Sequence, residues 1–457
     1  MKILLINPAS KIWILAKTLP LGLAYIAAYL EKNNFAVEVI DLAVNPNQTI
    51  PRADIVGITA TTPLIAQAWK IAKKIKYKNK KTLIVLGGPH PTCLSEESLE
   101  KEYIDVVVRG EGEITMLELA RAVLRKKDFN TILGISYKKK NKIIHNQNRP
   151  FITNLDSLPF PAYHKFGQLN QYTNPQPLLG SRRPAINIIT SRGCPYGCIF
   201  CYKGTFGRIW RARSPENVLA EWGLLVKKFG VKEIGIQDDN FNVDTSRAIK
   251  ICRLIQKKKL IIPWSTPNGI RADFATEELL REMKKAGCYR IAFGVESGDQ
   301  KVLDYIIGKN LKLSKVKKAF KLARKYKIKT IAFFMMGNPG ETQKQMKKTI
   351  KFALQLQPDF AQFTTATPFP GTRLFALIQE KGKFKIKNWA GFSQFDQKAY
   401  FEFPGQDPEL PAKMVKRAYQ KFYFRPAFMA KFLADFQTWK NLPNIISATF
   451  HFLFKGR

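Results

Sequence analysis

One pattern constrains this chain more than any other. Short, nearly continuous apolar runs alternate with helical stretches, and the alternation occurs twice. In the first 125 residues, ILLIN (3–7), FAVEVIDL (35–42), DIVGITA (54–60), TLIVLGG (82–88) and DVVVRG (105–110) read as strands. Between them, LGLAYIAAYLEKN (21–33), PLIAQAWKIAKKIK (63–76) and EITMLELARAVLRK (113–126) read as helices. Strands this apolar need cover on both faces, which predicts a doubly wound parallel α/β sheet. Ligands on such sheets sit at the carboxyl ends of the strands. The rhythm resumes with AINIITS (185–191), EIGIQD (233–238), IPWSTP (262–267), RIAFGVES (290–297), TIAFFMMG (330–337) and FAQFTTAT (360–367). Six βα units in series predict a partial barrel, with its chemistry again at the carboxyl ends. In the helix over 214–230, Ser214 caps, Pro215 takes the first helical position and Gly230 ends it.

Between these blocks, KKKNK (138–142) and several prolines mark a connector with a small hairpin. The expected division is therefore 1–130, a linker over 131–180, a barrel over 181–400, and a C-terminal helical extension over 401–457. That extension is basic and rich in aromatics: Phe422, Tyr423, Phe424, Phe428, Phe432 and Phe436 interleave with Lys421, Arg425 and Lys431. It suits either a helix covering the open barrel or a peripheral contact with an anionic membrane.

The net charge of +40 favours acidic partners, but the lysines are spread along the whole chain and charge alone does not decide function. No secretory signal opens the sequence, because Asn7 and Pro8 break the first apolar run. No stretch approaches the roughly 18 apolar residues that span a bilayer. Three of the six cysteines crowd into eight positions, which implies a metal site in a reducing compartment rather than a disulfide framework. The expected location is cytoplasmic.

That crowded segment is Ser191-Arg-Gly-Cys194-Pro-Tyr-Gly-Cys198-Ile-Phe-Cys201-Tyr. It follows a strand, so the thiolates lie on a loop at a carboxyl end. Structural zinc wants four ligands, usually in two separated pairs. Here no fourth cysteine or histidine is near. A [4Fe–4S] cluster held by three thiolates leaves one iron open to a further ligand. Cys252 and Cys288 read as buried small hydrophobes.

The C-x3-C-x-aromatic-C loop after a first strand resembles that of the radical SAM superfamily. WRARSPENVLAE (210–221), IGIQDDNF (234–241), NGIRAD (268–273), GVESG (294–298), MGNPGET (336–342) and TPFPGT (367–372) match in order. The resemblance implies that Cys194, Cys198 and Cys201 bind a [4Fe–4S] cluster. Its open iron takes S-adenosylmethionine, which one electron cleaves to a 5′-deoxyadenosyl radical. An electron donor such as a flavodoxin or ferredoxin is implied. For S-adenosylmethionine, the resemblance implies Phe200 beside the adenine and Asp238, Asp239 and Asn240 at the second strand end. Glu296 and Ser297 are expected at the ribose or amino end, Thr367 and Pro368 at the adenine edge. A buried Glu296 carboxylate is costly alone, and a ligand hydroxyl or ammonium would satisfy it.

In the first block, TATT (59–62), GGPHPT (87–92) and RGEGE (109–113) follow strands. Adjacent glycines permit close backbone approach to a bulky ligand. No G-x-G-x-x-G follows the first strand, so an ordinary dinucleotide site is not expected. With PLGLAYIAAYL (20–30), these segments resemble the Rossmann-like cobalamin-binding domain fused to many radical SAM enzymes. The resemblance implies cobalamin contacts from Thr59, Thr61, Gly87, Gly88 and Glu111. The D-x-H-x-x-G pattern that supplies a histidine to cobalt is absent, so no protein histidine is expected on cobalt, and His90 reads as a loop residue.

The fold expectation is thus a Rossmann-like sheet followed by a partial (βα)6 TIM-type barrel. The functional expectation is a radical SAM enzyme using cobalamin to methylate an unactivated carbon or phosphorus of a small-molecule or lipid-like substrate. The alternatives are cobalamin-dependent radical cyclisation or oxidation, and a nucleic-acid-binding cobalamin or redox sensor. No nucleic-acid-binding module is recognisable, which disfavours the last. Transfer-RNA methylthiolation is disfavoured because the first block holds only Cys93.

Overall fold

The computed structural model describes residues 1–9, 16–140, 142–176, 181–386, 388–390, 392–395, 398–426 and 428–429. The first sheet contains β1 (Lys2–Asn7), β2 (Ala36–Asp41), β3 (Ile55–Thr59), β4 (Leu83–Gly87), β5 (Val106–Val108), β6 (Ile135–Lys139) and β7 (Lys142–His145). Its order is β2-β1-β3-β4-β5-β6-β7. The first five strands are parallel, and β6 and β7 run antiparallel at one edge. Helices α1 (Leu21–Lys32), α2 (Ile65–Lys78) and α5 (Glu113–Leu124) cross over it, with the short α3 (Pro89–Cys93) and α4 (Ser95–Leu99) between β4 and β5. Leu5 and Val85 feed one core, Leu4 and Ile84 the other, so each strand is covered on both faces.

The hairpin expected within the connector exists, but it is an extension of the sheet: Val106 pairs with Tyr137 across β5 and β6. After it, Tyr163, Phe166, Leu169 and Tyr172 are buried in the barrel core together with Leu19, Leu21 and Tyr25 from the first block. The two halves therefore share packed hydrophobic surface.

The second sheet is wholly parallel, in the order β15-β14-β13-β12-β11-β8. Its strands are β8 (Ala185–Ile188), β11 (Glu233–Ile236), β12 (Trp264–Ile270), β13 (Cys288–Glu296), β14 (Lys329–Met336) and β15 (Phe360–Thr365). A two-residue ribbon, β9 (Ser191–Arg192) with β10 (Arg211–Ala212), frames the cysteine loop. Helices α6 (Pro215–Lys227), α7 (Thr245–Lys257), α8 (Glu277–Lys285), α9 (Leu313–Lys325) and α10 (Gln343–Leu356) link the strands, and α11 (Arg373–Lys381) follows β15. The Ser214 hydroxyl accepts from Asn217 N–H and Pro215 opens α6, as the sequence predicts. Cys252 and Cys288 are fully buried in this core.

An open barrel exposes the edge of its last strand, a template for unwanted pairing. Here α12 (Leu410–Tyr423) covers β15. Its Tyr419 hydroxyl accepts from Phe363 N–H at 3.2 Å, and its Tyr423 hydroxyl bonds both Ala361 N–H at 3.1 Å and Ala361 C=O at 2.7 Å. Phe422 is buried against Phe363. Of the two readings of the aromatic extension, the covering helix accounts for these residues. Phe432 and Phe436 lie outside the described residues. Among the described residues no helix is long and apolar enough to cross a membrane.

Removing both phenols, Tyr419→Phe with Tyr423→Phe, leaves the β15 backbone groups unpaired beneath a helix. We expect a loss of about 2–5 kcal/mol in urea unfolding, with increased self-association by light scattering.

Candidate active site

The cysteine loop, residues 193–210, is built from its stem upward. Asp238, buried just beyond β11, accepts from Thr190 N–H, Thr190 Oγ1 and Ser191 Oγ, each at 2.6 Å. Burial pushes the Asp238 carboxyl up from its ordinary value, and Arg247 with these three donors opposes the rise. Asp239 accepts from Gly193 N–H at 3.0 Å. Gly193 has φ +81, and a Cβ there would stand 2.3 Å from Ile209 O, so only glycine closes this stem.

On the loop, Cys201 N–H donates to Cys198 O at 3.1 Å. The Cys201 thiol also bonds Cys198 and pulls the Cys198 thiol down to about 6; Lys309 and Arg271 assist, against burial and Glu296. The same bond, with burial, drives Cys201 well upward. Arg271, from NGIRAD, stacks 3.8 Å from the ring centroid of Tyr196 and donates to Lys309 O at 3.1 Å. Lys309 is buried and donates to Gly294 O at 2.6 Å and Glu296 Oε1 at 2.8 Å. Two cations therefore stand beside a loop that carries three ionisable thiols.

Loops at the carboxyl ends of the first sheet meet this loop. Glu111, in RGEGE after β5, pairs with Arg192 at 2.7 Å and Arg211 at 2.9 Å, and accepts from Ile152 N–H at 2.8 Å. Glu113 pairs with Arg192 at 2.5 Å. Burial works against the Arg192 charge, yet Glu113 and Glu111 outweigh it and raise its affinity for the proton. At the end of α3, Cys93 lies against TPFPGT: a Cβ on Gly371 would stand 2.5 Å from its sulfur and 2.6 Å from the Tyr202 ring. The carboxyl ends of the two sheets thus face one another across the cysteine loop.

Several of the expected residues make contacts within the chain. Glu296 accepts from Lys309, and it holds a left-handed φ of +67 where β13 shifts register against β14. Ser297 bonds Thr349 and accepts from Asp299 N–H. Asp238 and Asp239 hold the stem. Glu111 pairs with two arginines. Gly88 uses its φ of +102 to pass its own chain, since a Cβ would stand 2.7 Å from Ala60 O. His90 is buried between Thr62 and Glu97 and packs edge-on against Trp69 and Trp389.

Other expected residues keep free capacity. Both side-chain amide atoms of Asn240 are buried without a hydrogen-bond partner among the described residues, as is the Thr61 hydroxyl. Such groups are costly unless a ligand or water meets them. Phe200 forms a shelf between the clusters of Leu374 and Ile378 and of Leu303 and Ile307. Thr367 and Pro368 are buried beyond β15, and Thr59 and Gly87 sit half-buried at the ends of β3 and β4. Lys309, Arg271, Arg192 and Arg211 carry no role in the sequence reading. Their signal was their position within or near matched segments, masked by 75 basic residues overall.

The donor set fits the groups that the sequence implies: three thiols on one loop for a cluster, an orphaned buried amide for a polar nucleoside, and an unpaired hydroxyl at the facing sheet. Comparison with known families agrees. Residues 188–353 match the radical SAM superfamily, and residues 14–120 match the B12 binding domain. An uncharacterized methyltransferase of Pyrococcus horikoshii, PH0819, is 36% identical over 90% of this chain and 89% of its own length. The anaerobic magnesium-protoporphyrin IX monomethyl ester cyclase of Rubrivivax gelatinosus is 30% identical over 90% of this chain and 74% of its own. In fold, the chain superposes on the radical S-adenosylmethionine methyltransferase TsrM from Kitasatospora setae, with a TM-score of 0.72 and 18% identity, covering 93% and 89% of the two chains. The chain belongs to the cobalamin-binding radical SAM family. It is an enzyme, and its cofactors are a [4Fe–4S] cluster, S-adenosylmethionine and cobalamin.

Two predictions follow from this geometry. Glu111→Gln removes half of a buried ion-pair network, and we expect about 3–5 kcal/mol of destabilisation in urea, with faster proteolysis between the two sheets. Glu341, in MGNPGET, borders a cavity of about 270 Å³ beneath residues 398–411. One carboxylate oxygen accepts from Gly337 N–H, Asn338 N–H and Asn338 Nδ2, while the other is buried with no hydrogen-bond partner among the described residues. Burial raises its carboxyl from 4.5 to about 7. The native state therefore holds a proton that the unfolded chain releases, so this group's stabilisation is full below pH 4.5 and fades as pH rises through about 7. We expect a decline of about 3 kcal/mol across that window, flattened in Glu341→Gln, in unfolding free energies measured against pH.

Proposed function

We propose that this enzyme transfers a methyl group to an unactivated carbon or phosphorus centre of a small-molecule substrate, and that Cys194, Cys198 and Cys201 hold its cluster. The observation that carries this reading is the buried Glu111–Arg192–Arg211 network, which fastens the first sheet's carboxyl edge onto the cysteine-loop stem. Methyl transfer through two cofactors requires that both meet one substrate, and this fastening keeps their loops in register. When bound, the cluster with S-adenosylmethionine supplies a carbon-centred radical and cobalamin supplies a transferable methyl group.

The chain's own residues hold and orient. Asp238 and Asp239 fix the loop stem. Arg271 and Lys309 offset negative charge at Cys198. Asn240 offers a donor and an acceptor to a nucleoside, Phe200 gives an apolar shelf for its base, and Thr367 and Pro368 border it. Thr61 offers a hydroxyl to a polar tail of the corrin, with Thr59 and Gly87 beside it. A lipid-like substrate belongs to the same proposal, on the strength of the aromatic, basic stretch after Phe424, which is itself 68% exposed.

A second reading, radical cyclisation or oxidation, is favoured by the likeness to the cyclase. The cofactor product separates the two. Methyl transfer predicts S-adenosylhomocysteine together with 5′-deoxyadenosine from the reconstituted, reduced holoenzyme. 5′-Deoxyadenosine alone would favour the second.

Replacing all three loop cysteines by Ala is expected to remove about four irons and all 5′-deoxyadenosine release, with bound cobalamin retained. Asn240→Ala is expected to keep its iron while weakening S-adenosylmethionine binding about tenfold, the loss of one hydrogen-bonding amide, read by equilibrium dialysis.

A further inference from the structure

The inside of the barrel is polar along β8, β11 and β12. Ile188, Ile236 and Phe334 belong to the core shared with the helices, so strand alternation turns Asn187, Gln237 and Phe333 the other way, into the barrel. The floor of this space is closed by its own hydrogen bonds. Asn174 donates to Glu233 Oε1 at 2.6 Å and to Ser265 Oγ at 2.9 Å, and the Tyr289 hydroxyl donates to the same Glu233 oxygen at 2.7 Å. Above the floor the pattern changes. Thr266 pairs with Ile291 and Ile270 with Phe293, so β12 spends four steps where β13 spends two. The surplus is a bulge, Pro267-Asn268-Gly269, and bulges of this kind re-aim groups beside active sites.

Two glutamines are held by this bulge. Gln176 Nε2 donates to Pro267 O at 3.2 Å, and Gln237 Nε2 donates to Asn268 Oδ1 at 3.1 Å. The orientation of both amides is forced. A backbone carbonyl only accepts, so Gln176 must present its nitrogen to Pro267. Asn268 gives its own nitrogen to Gln237 O at 3.1 Å and Asp238 O at 3.4 Å, which leaves its oxygen for Gln237. Gln237 must answer with nitrogen. The remaining end of each glutamine is therefore an oxygen. Both oxygens are buried with no hydrogen-bond partner among the described residues. Two acceptors left without donors at one bulge are costly until a donor meets them. On the far side of the bulge, a Cβ on Gly269 would stand 3.5 Å from Phe333 Cε2, and Phe333 is only half-buried. Gln237 also directly precedes Asp238, which anchors the stem of the cysteine loop.

We propose that the substrate enters this part of the barrel with a hydrogen-bond-donating end, a hydroxyl or an amine, which Gln176 and Gln237 select through their free oxygens. The proposal rests on the reading of the chain as a small-molecule methyltransferase and narrows its substrate class. The apolar part of the substrate lies towards Phe333. An ionised phosphate or carboxylate end offers only acceptors and would face two oxygens of its own kind. A hydrocarbon end would leave both oxygens unpaired. Asn268 acts as a positioning residue, since its oxygen fixes which end of Gln237 is free.

The test uses the reconstituted, unreduced holoenzyme with S-adenosylmethionine bound, so that no turnover occurs. Three probes share one apolar body: phenethylamine, phenethyl alcohol and phenethyl phosphate. Their binding is measured by saturation-transfer nuclear magnetic resonance, and retained S-adenosylmethionine by equilibrium dialysis. At least one donor-bearing probe is expected to bind about tenfold or more tightly than the phosphate, and the amine against the alcohol then identifies the donor. Gln176→Leu and Gln237→Leu are each expected to lower that preference about tenfold, the loss of one hydrogen bond. Gln237→Glu, which keeps an acceptor, is expected to retain it for the amine. Iron content shows that each variant is folded, and the preference of the unaltered enzyme decides the matter without them. Binding of the phosphate as tight as that of the donor probes overturns the proposal. So does no binding of either donor probe, a preference unchanged in both leucine variants, or release of S-adenosylmethionine by the donor probes. Failure of the methyltransferase reading is seen separately, as 5′-deoxyadenosine without S-adenosylhomocysteine in turnover of the reduced enzyme.

Discussion

The buried network of Glu111, Glu113, Arg192 and Arg211 is the interaction on which the rest of this molecule depends. Each of the four side chains is almost wholly excluded from water. A buried ion pair is poor evidence for stability, because desolvation cancels much of the Coulombic gain. Its value is geometric. Glu111 on the loop after β5 and Glu113 at the start of α5 take guanidinium groups from both strands of the β9–β10 ribbon, so one domain grips both sides of the stem that presents the cysteines. An apolar interface would tolerate sliding; this one has a single register, since any displacement leaves a buried charge unpaired. The shared hydrophobic surface around Tyr25, Tyr163 and Tyr172 supplies the adhesion that the ions do not.

The architecture was legible because its signal is redundant. Five apolar runs and three helical patterns have few other ways to fold, and the strands over 1–110 fall within a residue or two of their expected places. The Asp-Asp-Asn segment, the cysteine spacing and the strand-end glycines were legible as motifs. Which atoms those motifs serve was not. Glu296 and Glu111 both read as ligand-facing carboxylates, and both are closed by basic residues of the same chain, Lys309 thirteen residues away and Arg192 eighty-one away. A pattern in one dimension does not distinguish a charge awaiting a ligand from one already paired. Gly88 carries a related lesson: positive φ demands glycine there, and Ala60 of the same chain already approaches it closely.

The aromatics of α12 show composition misleading in a different way. Alternating Phe, Tyr, Lys and Arg suits a membrane surface, yet Tyr419 and Tyr423 use their hydroxyls on the backbone of β15. The reason lies in the barrel being partial. An open sheet of six parallel strands leaves β15 as one of its two edge strands, with unpaired N–H and C=O groups, and a helix supplies no backbone partners for them. Tyrosine meets both needs at once, burying a ring against Phe363 and setting a hydroxyl at the edge. The aromatic enrichment in α12 is thus partly dictated by a fold feature about fifty residues earlier in sequence.

The electrostatics around Cys198 join these strands of argument. Three thiolates on one loop repel each other, and ionisation of the first makes the next harder, as the opposed shifts of Cys198 and Cys201 reflect. A cation placed among them relieves this, but a free buried lysine would simply shed its proton. Lys309 keeps its charge because Glu296 faces it; burial lowers its proton affinity, and Glu296 and Cys198 raise it again by more. Glu296 reaches that position only through a left-handed backbone, at a conformational cost of about 1–3 kcal/mol. The strain therefore has an electrostatic return: it holds a carboxylate where it preserves a cation, and the cation in turn favours the ionised form of the loop's central cysteine. The register shift between β13 and β14 lies at this same point, so the irregularity in an otherwise regular sheet and the charge balance of the cysteine loop have one structural cause.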